Sequence, residues 1–141
     1  MAQQIRLSFI PLVILLLLIG LTLPAGTANA HTNNCPKFEK LFQQYGLLPV
    51  DTFSYIAWRE SRCNPKAINA KWDKNGNLIY HLNKNKTWDS GLLQINSGHR
   101  ETVKRICKAD LQKLMELDCN LKVAKYLLDN GGLNHWRATY P

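Results

Sequence analysis

A glutamate stands where an amphipathic helix should present an apolar side chain. Phe53, Ile56, Ala57 and Glu60 recur at i, i+3, i+4 and i+7, so all four share one face of a predicted helix. A carboxylate among apolar neighbours loses hydration, and this loss raises its pKa towards the range that suits a general acid. Glu60 is therefore the candidate catalytic residue, although the pattern also fits a helix end whose glutamate pairs with a neighbouring arginine.

A polar segment about thirty positions later could face that glutamate across a cleft. It reads Asp89-Ser90-Gly91-Leu92-Leu93-Gln94-Ile95-Asn96-Ser97. Asp89 supplies a second carboxylate, while Gln94 and Asn96 supply amides that can bind a polar ligand. Taken without context, the same stretch also fits a buried turn whose amides satisfy backbone groups.

The elements that must position these residues are mostly helical. The apolar periodicity predicts helices over about 36–45, 52–61, 100–107, 111–117 and 120–129, and Asp51 is predicted to cap the second of them. Between the second and third helices, short β-prone runs at 71–73, 78–82 and 87–88 predict one small antiparallel sheet, with a hairpin turn at Asn75-Gly76. The fold class is therefore α+β, mostly helical, with a small antiparallel β-insert.

The pattern of the first thirty residues predicts that the chain is exported. Arg6 precedes a largely apolar stretch at 7–23, and Ala28-Asn29-Ala30 places small residues where a signal peptidase cuts. We expect residues 1–30 to be a signal peptide rather than a membrane anchor, so the membrane does not retain the mature chain. Removal of those 30 residues from the 141 leaves a mature chain, residues 31–141, that is long enough for one domain.

The composition favours an anionic partner. The complete chain carries 18 basic and 10 acidic residues, a formal charge of +8, and the predicted signal peptide removes only one of the basic residues. Such a surface suits nucleic acid, acidic lipid or an anionic cell wall equally well. Because the sequence contains no basic block interleaved with aromatic residues, we expect no nucleic-acid partner.

Four cysteines in a short exported chain predict two disulfides. Three pairings are possible. If the first two helices pack as an antiparallel hairpin, Cys35 before the first comes close to Cys63 after the second, which leaves Cys107 to pair with Cys119. The sequence has neither a Cys-x-x-Cys nor a His-x-x-x-His spacing, so we expect no metal and no cofactor.

Four short motifs occur in order along the chain: Glu60-Ser61, Asn64-Pro65-Lys66-Ala67-Ile68-Asn69, Gly91-Leu92-Leu93-Gln94-Ile95-Asn96 and Asp118-Cys119-Asn120. Together they resemble the lysozyme-like fold of soluble lytic transglycosylases, above all the small secreted branch found beside secretion, conjugation and phage assemblies. The resemblance runs from about Phe53 to Tyr140. It implies cleavage of the β-1,4 bond between N-acetylmuramic acid and N-acetylglucosamine in peptidoglycan glycan strands.

The resemblance also implies roles for single residues. Glu60 would protonate the leaving glycosidic oxygen and then, as a carboxylate, take the proton of the muramyl 6-hydroxyl as a 1,6-anhydro ring closes. Ser61, Gln94 and Asn96 match residues near the acid or the sugars. Tyr126 and Tyr140 are carried over as further substrate contacts, although Pro141 follows Tyr140 where the family has Asn-Ala-Gly.

Asp89 leaves the reaction open. Its place just before the segment that begins Ser90-Gly91-Leu92 also resembles animal-type lysozymes, in which a second carboxylate makes the enzyme a hydrolase. We therefore keep a hydrolytic muramidase using Glu60 and Asp89 as the alternative to a transglycosylase. A catalytically inactive cell-wall-binding module, or a component of a secretion, conjugation or phage assembly, is a third interpretation.

Overall fold

The structure, a computed structural model, describes residues 33–69, 71–75, 77–79 and 82–140. The predicted signal peptide lies outside these residues. Four α-helices dominate: α1 (Pro36–Gln44), α2 (Val50–Ser61), α3 (Arg100–Cys107) and α4 (Leu117–Gly131). Three 3-10 helices follow or separate them: Ser97–His99, Leu111–Met115 and Gly132–Trp136. In the described residues no helix is both long and apolar enough to cross a membrane.

The first two helices form the expected hairpin. Pro36 opens α1, where its missing N–H costs nothing. The Cα atoms of Cys35 and Cys63 lie 5.6 Å apart and a disulfide joins the two residues. Ser54 of α2 accepts a hydrogen bond from the backbone N–H of Cys35 at 2.8 Å, so the start of α1 is fastened to α2 twice.

The predicted cap of α2 is wrong. Pro49 occupies the N-cap position without a side-chain hydrogen bond, and Asp51 lies inside the first turn. There its negative charge still suits the partial positive charge of the helix N-terminus. At the other end, Arg62 adopts a left-handed conformation with φ of 52°, which stops the helix two residues after Glu60.

The β-insert differs from the predicted single sheet. Strands β1 (Lys71–Trp72) and β2 (Leu78–Ile79) pair as expected, but a separate sheet joins β3 (Asp89–Ser90) to β4 (Ile95–Asn96). The predicted strand at 87–88 is wrong, because Thr87 closes a turn and the strand β3 begins only after Trp88. The backbone N–H of Asn83 donates to the Thr87 carbonyl at 2.8 Å, which takes Thr87 out of any ladder with β2.

The C-terminal half agrees more closely with the sequence. Helix α3 has its predicted bounds, whereas residues 111–115 form a 3-10 helix rather than an α-helix and α4 begins three residues before the predicted start. The second disulfide joins Cys107 of α3 to Cys119 of α4, with Cα atoms 5.5 Å apart. The mostly helical α+β fold with a small antiparallel insert is thus confirmed.

The core lies where α2, the β3–β4 turn and α4 meet. Phe53, Leu93 and Leu121 are fully buried there. Trp136 packs edge-on against Phe53 with ring centroids 5.4 Å apart, and its indole N–H donates to the Leu93 carbonyl at 3.0 Å. This indole therefore holds the C-terminal segment against α2 and against the β3–β4 turn.

Candidate active site

Glu60 lies in the last turn of α2, on the stripe that the sequence predicted. Phe53, Ile56 and Ala57 on that stripe are fully buried, and Glu60 is half-buried at its end. The backbone turns away at once, because Arg62 is already outside the helix. The fold thus holds a carboxylate at the rim of the core, where its hydration is reduced.

The surroundings of Glu60 raise its pKa above the ordinary value. Burial of the carboxyl is the largest cause, and the negative charge of Asp89 acts in the same direction. The Thr139 hydroxyl donates a hydrogen bond to the carboxylate and lowers the pKa, as does the positive charge of Arg59, but burial prevails. Glu60 therefore holds its proton to a higher pH than an exposed glutamate, as a general acid must.

The β3–β4 turn faces this helix end and is held in place by Asn120 of α4. The Asn120 amide donates to the carbonyls of Ser90 and Leu114 at 3.0 Å each and accepts from the Leu93 N–H at 3.0 Å. Gly91 makes this approach possible. It has φ of 82°, and a Cβ there would lie 2.1 Å from both the Asn120 nitrogen and the Leu114 carbonyl oxygen.

Two side-chain amides donate hydrogen bonds to Asp89, which lies at the start of β3. Asn83 donates to one carboxylate oxygen at 2.9 Å and Asn96 donates to the other at 2.6 Å. Both amides also donate to the hydroxyl of Thr87, at 3.1 and 3.0 Å. The backbone N–H of Asp89 donates to the side-chain oxygen of Asn69. We call Asn83, Thr87 and Asn96 the Asp89 clamp, since together they fix the direction of this carboxylate.

The side chain of Gln94 holds the β3–β4 turn in place and also lines a recess on the surface. It sits in the β3–β4 turn with φ of 47°. Its amide donates to the carbonyls of Ala67 and Gly91 at 3.0 and 2.9 Å, which fastens the segment after α2 to the turn. The sequence also fitted a turn whose amides satisfy backbone groups. For Gln94, this interpretation is therefore correct in part.

An open recess of about 190 Å³ adjoins Asp89. Its lining combines the polar segment with the two C-terminal elements: Asp89, Gln94, Ile95, Asn96, His99, Leu127, His135 and Trp136. His99 and His135 meet edge-on with ring centroids 5.5 Å apart. Burial, and then the nearby His135, lower the pKa of His99, so this imidazole is neutral near pH 7. Asp89, Gln94 and Asn96, three of the residues that sequence singled out, thus share one concave surface.

Ser61 lies directly after Glu60, as the last residue of α2. It is fully buried, and its hydroxyl donates to the Ala57 carbonyl of its own helix at 2.9 Å. In this position the hydroxyl is engaged within its own helix, one residue from Glu60.

The two tyrosines occupy separate places. The guanidinium of Arg105 lies over the Tyr126 ring, 4.4 Å from its centroid, at the contact of α3 with α4. The Tyr140 ring meets the edge of Tyr55 on α2, with centroids 6.3 Å apart. Tyr140 also follows Thr139, the hydrogen-bond donor to Glu60. Of the pair, the structure brings only Tyr140 beside the residues around Glu60.

Sequence reasoning missed Thr139, Asn83 and His135. Asn83 and Thr139 are polar residues in irregular segments, where neither hydrophobic periodicity nor a motif marks them. The sequence offered for His135 only its position directly before a tryptophan. Within the described residues, no group of three or more histidine, cysteine, aspartate or glutamate side chains could hold a metal ion.

The domain is helix-rich α+β, and the charge of the clamped Asp89 carboxylate acts on the half-buried carboxyl of Glu60. A pair of carboxyl groups of this kind is typical of enzymes that cleave glycosidic bonds. A family model of the transglycosylase SLT domain matches residues 37–137. The chain belongs to this family. The match includes Glu60, Asp89, Gln94 and Asn96, whereas Thr139 and Tyr140 lie beyond it. No curated protein matches the chain. At the level of the family, the activity is lytic transglycosylation of peptidoglycan.

Proposed function

We propose that the mature chain is a peptidoglycan lytic transglycosylase that cleaves the bond between N-acetylmuramic acid and N-acetylglucosamine with Glu60 as its single general acid and base. The observation that carries the proposal is the half-buried Glu60 at the end of α2, with a pKa raised by burial. Membership of the SLT family supports the same reaction class.

In the first step, protonated Glu60 donates its proton to the glycosidic oxygen, and the bond from that oxygen to the muramyl C1 breaks. In the second, the Glu60 carboxylate takes the proton of the muramyl 6-hydroxyl, whose oxygen bonds to C1. The products are an N-acetylglucosamine end and a 1,6-anhydromuramyl end. No water is consumed, and Glu60 returns to its protonated form.

In this mechanism Asp89 acts through its charge. The amides of Asn83 and Asn96 fix the direction of this carboxylate. A fixed negative charge there stabilises the positive charge that develops on the sugar as the glycosidic bond breaks. It also contributes to the raised pKa of Glu60. The histidines and amides of the adjoining recess supply hydrogen bonds for a neighbouring sugar.

The clamped Asp89 also favours a second candidate, a hydrolytic muramidase. A retaining glycosidase uses its second carboxylate as nucleophile or charge stabiliser and then admits water to C1. That reaction would leave a reducing muramyl end. The ends of the products therefore separate the two enzymes.

The test is mass spectrometry of the muropeptides that the mature protein releases from purified peptidoglycan. A transglycosylase gives anhydro-muropeptides, each lighter by one water than the hydrolysed species. Glu60→Gln should lower their release at least about a hundredfold, while Glu101→Gln, a change at an exposed glutamate of α3, should leave it unchanged. Reducing ends would establish the hydrolase instead. Equal release by Glu60→Gln and wild type would refute the role of Glu60, and no release by either would favour a binding module.

We further propose that the protein acts outside the cytoplasm, after removal of residues 1–30. Two disulfides within the described residues suit an exported protein, and the substrate lies in the cell wall. Mass determination of the protein recovered after export should find His31 as its first residue. An N-terminus at Met1 would contradict the proposal.

A further inference from the structure

Two imidazoles meet in the recess beside Asp89. The rings of His99 and His135 lie with their centroids 5.5 Å apart and their planes 71° from parallel. Within the part of the chain that the structure describes, no hydrogen bond engages a nitrogen of either ring. His99 is half-buried and His135 is exposed, so solvent reaches the pair. The ring nitrogens are therefore available to a ligand.

Both imidazoles stand on anchored backbone. His99 ends the 3-10 helix Ser97–His99, which follows β4 without a break. His135 directly precedes Trp136, the buried tryptophan whose indole bonds to the β3–β4 turn. The His135 ring lies against Gly131, where a Cβ would come within 2.5 Å of Nε2. The fold thus sets the spacing of the two rings before a ligand arrives.

The separation of the rings matches that of two imidazoles bound to one zinc ion. A zinc–nitrogen bond of about 2.0–2.1 Å places each ring centroid about 3.2 Å from the ion. At the tetrahedral angle the two centroids are then about 5.2 Å apart, whereas neighbouring positions of a square-planar ion give about 4.5 Å and opposite positions about 6.4 Å. Rotation about a metal–nitrogen bond changes the angle between the ring planes but not this distance. The observed 5.5 Å is closest to the tetrahedral value, which zinc prefers.

The charges of the recess also suit a divalent cation. A metal binds the lone pair of a neutral imidazole, and burial lowers the pKa of His99, so this ring has no proton to lose near pH 7. The carboxylate of Asp89 lines the same recess and adds a negative charge. All four cysteines form disulfides, so no thiolate competes for the ion.

We propose that His99 and His135 together bind one zinc ion, with water at its two remaining positions, and that the bound ion closes the recess to a sugar. Two protein ligands make a reversible site, weaker than the sites of zinc enzymes and zinc fingers, which have three or four. The binding does not depend on the proposed function. The inhibition rests on it, because the recess must hold a sugar of the glycan strand for its occupation to slow the reaction.

Isothermal titration calorimetry of the mature protein with zinc chloride tests the binding. Wild type should bind one ion, and His99→Gln and His135→Gln should each weaken the binding at least about tenfold. The double variant should lose little more, because a single imidazole does not hold the ion. His81→Gln, the same change at a histidine outside the pair, should bind zinc as wild type does. Magnesium chloride should give no binding, since magnesium prefers oxygen ligands.

Two further measurements keep both imidazoles in place. Gly131→Ala adds a methyl group that displaces the His135 ring, so zinc binding should weaken although no ligand is lost. In the wild-type protein, one equivalent of zinc should shift the imidazole NMR resonances of His99 and His135 together. This second readout needs no variant, so it stands even where a substitution disturbs the fold.

Zinc should also slow the release of anhydro-muropeptides from peptidoglycan. Each protein is compared with its own rate in EDTA, so differences in basal activity cancel. At the zinc concentration that halves the rate of wild type, His135→Gln should keep nearly the whole of its rate in EDTA. Addition of EDTA should restore the wild-type rate.

Three outcomes overturn the proposal. No zinc binding by wild type would remove the site, and binding that persists unchanged in both histidine variants would be adventitious chelation elsewhere on the surface. Binding without inhibition would mean that the ion does not close the recess to a sugar. Failure of the proposed function looks different, since wild type would then release no anhydro-muropeptide even in EDTA, while calorimetry would still detect the ion.

Discussion

The hydroxyl of Thr139 donates a hydrogen bond to the carboxylate of Glu60, joining residues 79 positions apart in the chain. The bond favours the ionised form and so opposes the effect of burial on the pKa of Glu60. The C-terminal segment thereby takes part in setting the proton affinity of the candidate acid.

Thr139→Val should move the activity of the protein to higher pH. Loss of the donor raises the pKa of Glu60 further, so the acid stays protonated at a pH where the wild-type carboxyl has ionised. The alkaline limb of the pH profile of anhydro-muropeptide release should shift upward. Thr102→Val, the same change on α3, is the control. An unmoved limb, or a shift to lower pH, would show that the bond does not tune Glu60.

Asp89→Asn should move the same limb in the opposite direction. Its negative charge raises the pKa of Glu60, so removing the charge lets Glu60 ionise at lower pH. The rate at the optimum should fall about tenfold or more, because the developing positive charge on the sugar loses its fixed counter-charge. The products should keep their anhydro ends. Appearance of reducing ends in the wild-type digest, and their loss in this variant, would instead make Asp89 a hydrolase carboxylate.

Glu60→Gln should stabilise the protein at neutral pH. A carboxyl whose folded pKa exceeds its unfolded value binds more protons when folded, so its contribution to stability falls as pH rises between the two values. Glutamine has no such penalty. The Tm of Glu60→Gln should exceed that of wild type at pH 7, and the difference should shrink as pH falls through the folded pKa towards the unfolded pKa of glutamate, near 4.3. With Glu101→Gln the Tm should follow wild type throughout. A lower Tm for Glu60→Gln at pH 7 would contradict the raised pKa.

Asn120→Ala should cost about 3 kcal/mol of unfolding free energy, because it leaves the Leu93 N–H and the carbonyls of Ser90 and Leu114 without a buried partner. Denaturant unfolding measures this change. Asn130→Ala, at an exposed position of the same helix, should cost less than about 1 kcal/mol. Similar costs for the two variants would mean that the β3–β4 turn does not depend on Asn120.

Those parts of the fold and the candidate site that a periodic pattern or a motif marks could be predicted from the sequence. Glu60 is recognisable because it interrupts an apolar stripe, and the Cys35–Cys63 pairing because two short helices must return on themselves. The Asp89 clamp is not recognisable, since the hydrogen bonds of Asn83 to Asp89 and to Thr87 depend on a local turn that no hydrophobic periodicity records. No pattern in the sequence marks Thr139, because its role depends on how Trp136 anchors the C-terminal segment against Leu93 and Phe53.

The Cys35–Cys63 bond has a consequence for where the protein can work. Cys63 follows Glu60 by three residues, and the bond closes a loop of 28 residues, a constraint of about 3.5 kcal/mol in the chain-entropy description. Thiol-rich cytoplasm keeps such a bridge open. Under the proposed export, a newly made chain lacks this disulfide beside its candidate acid and gains it only in an oxidising compartment. Redox chemistry would thus couple the maturation of a wall-cutting enzyme to its arrival at the wall.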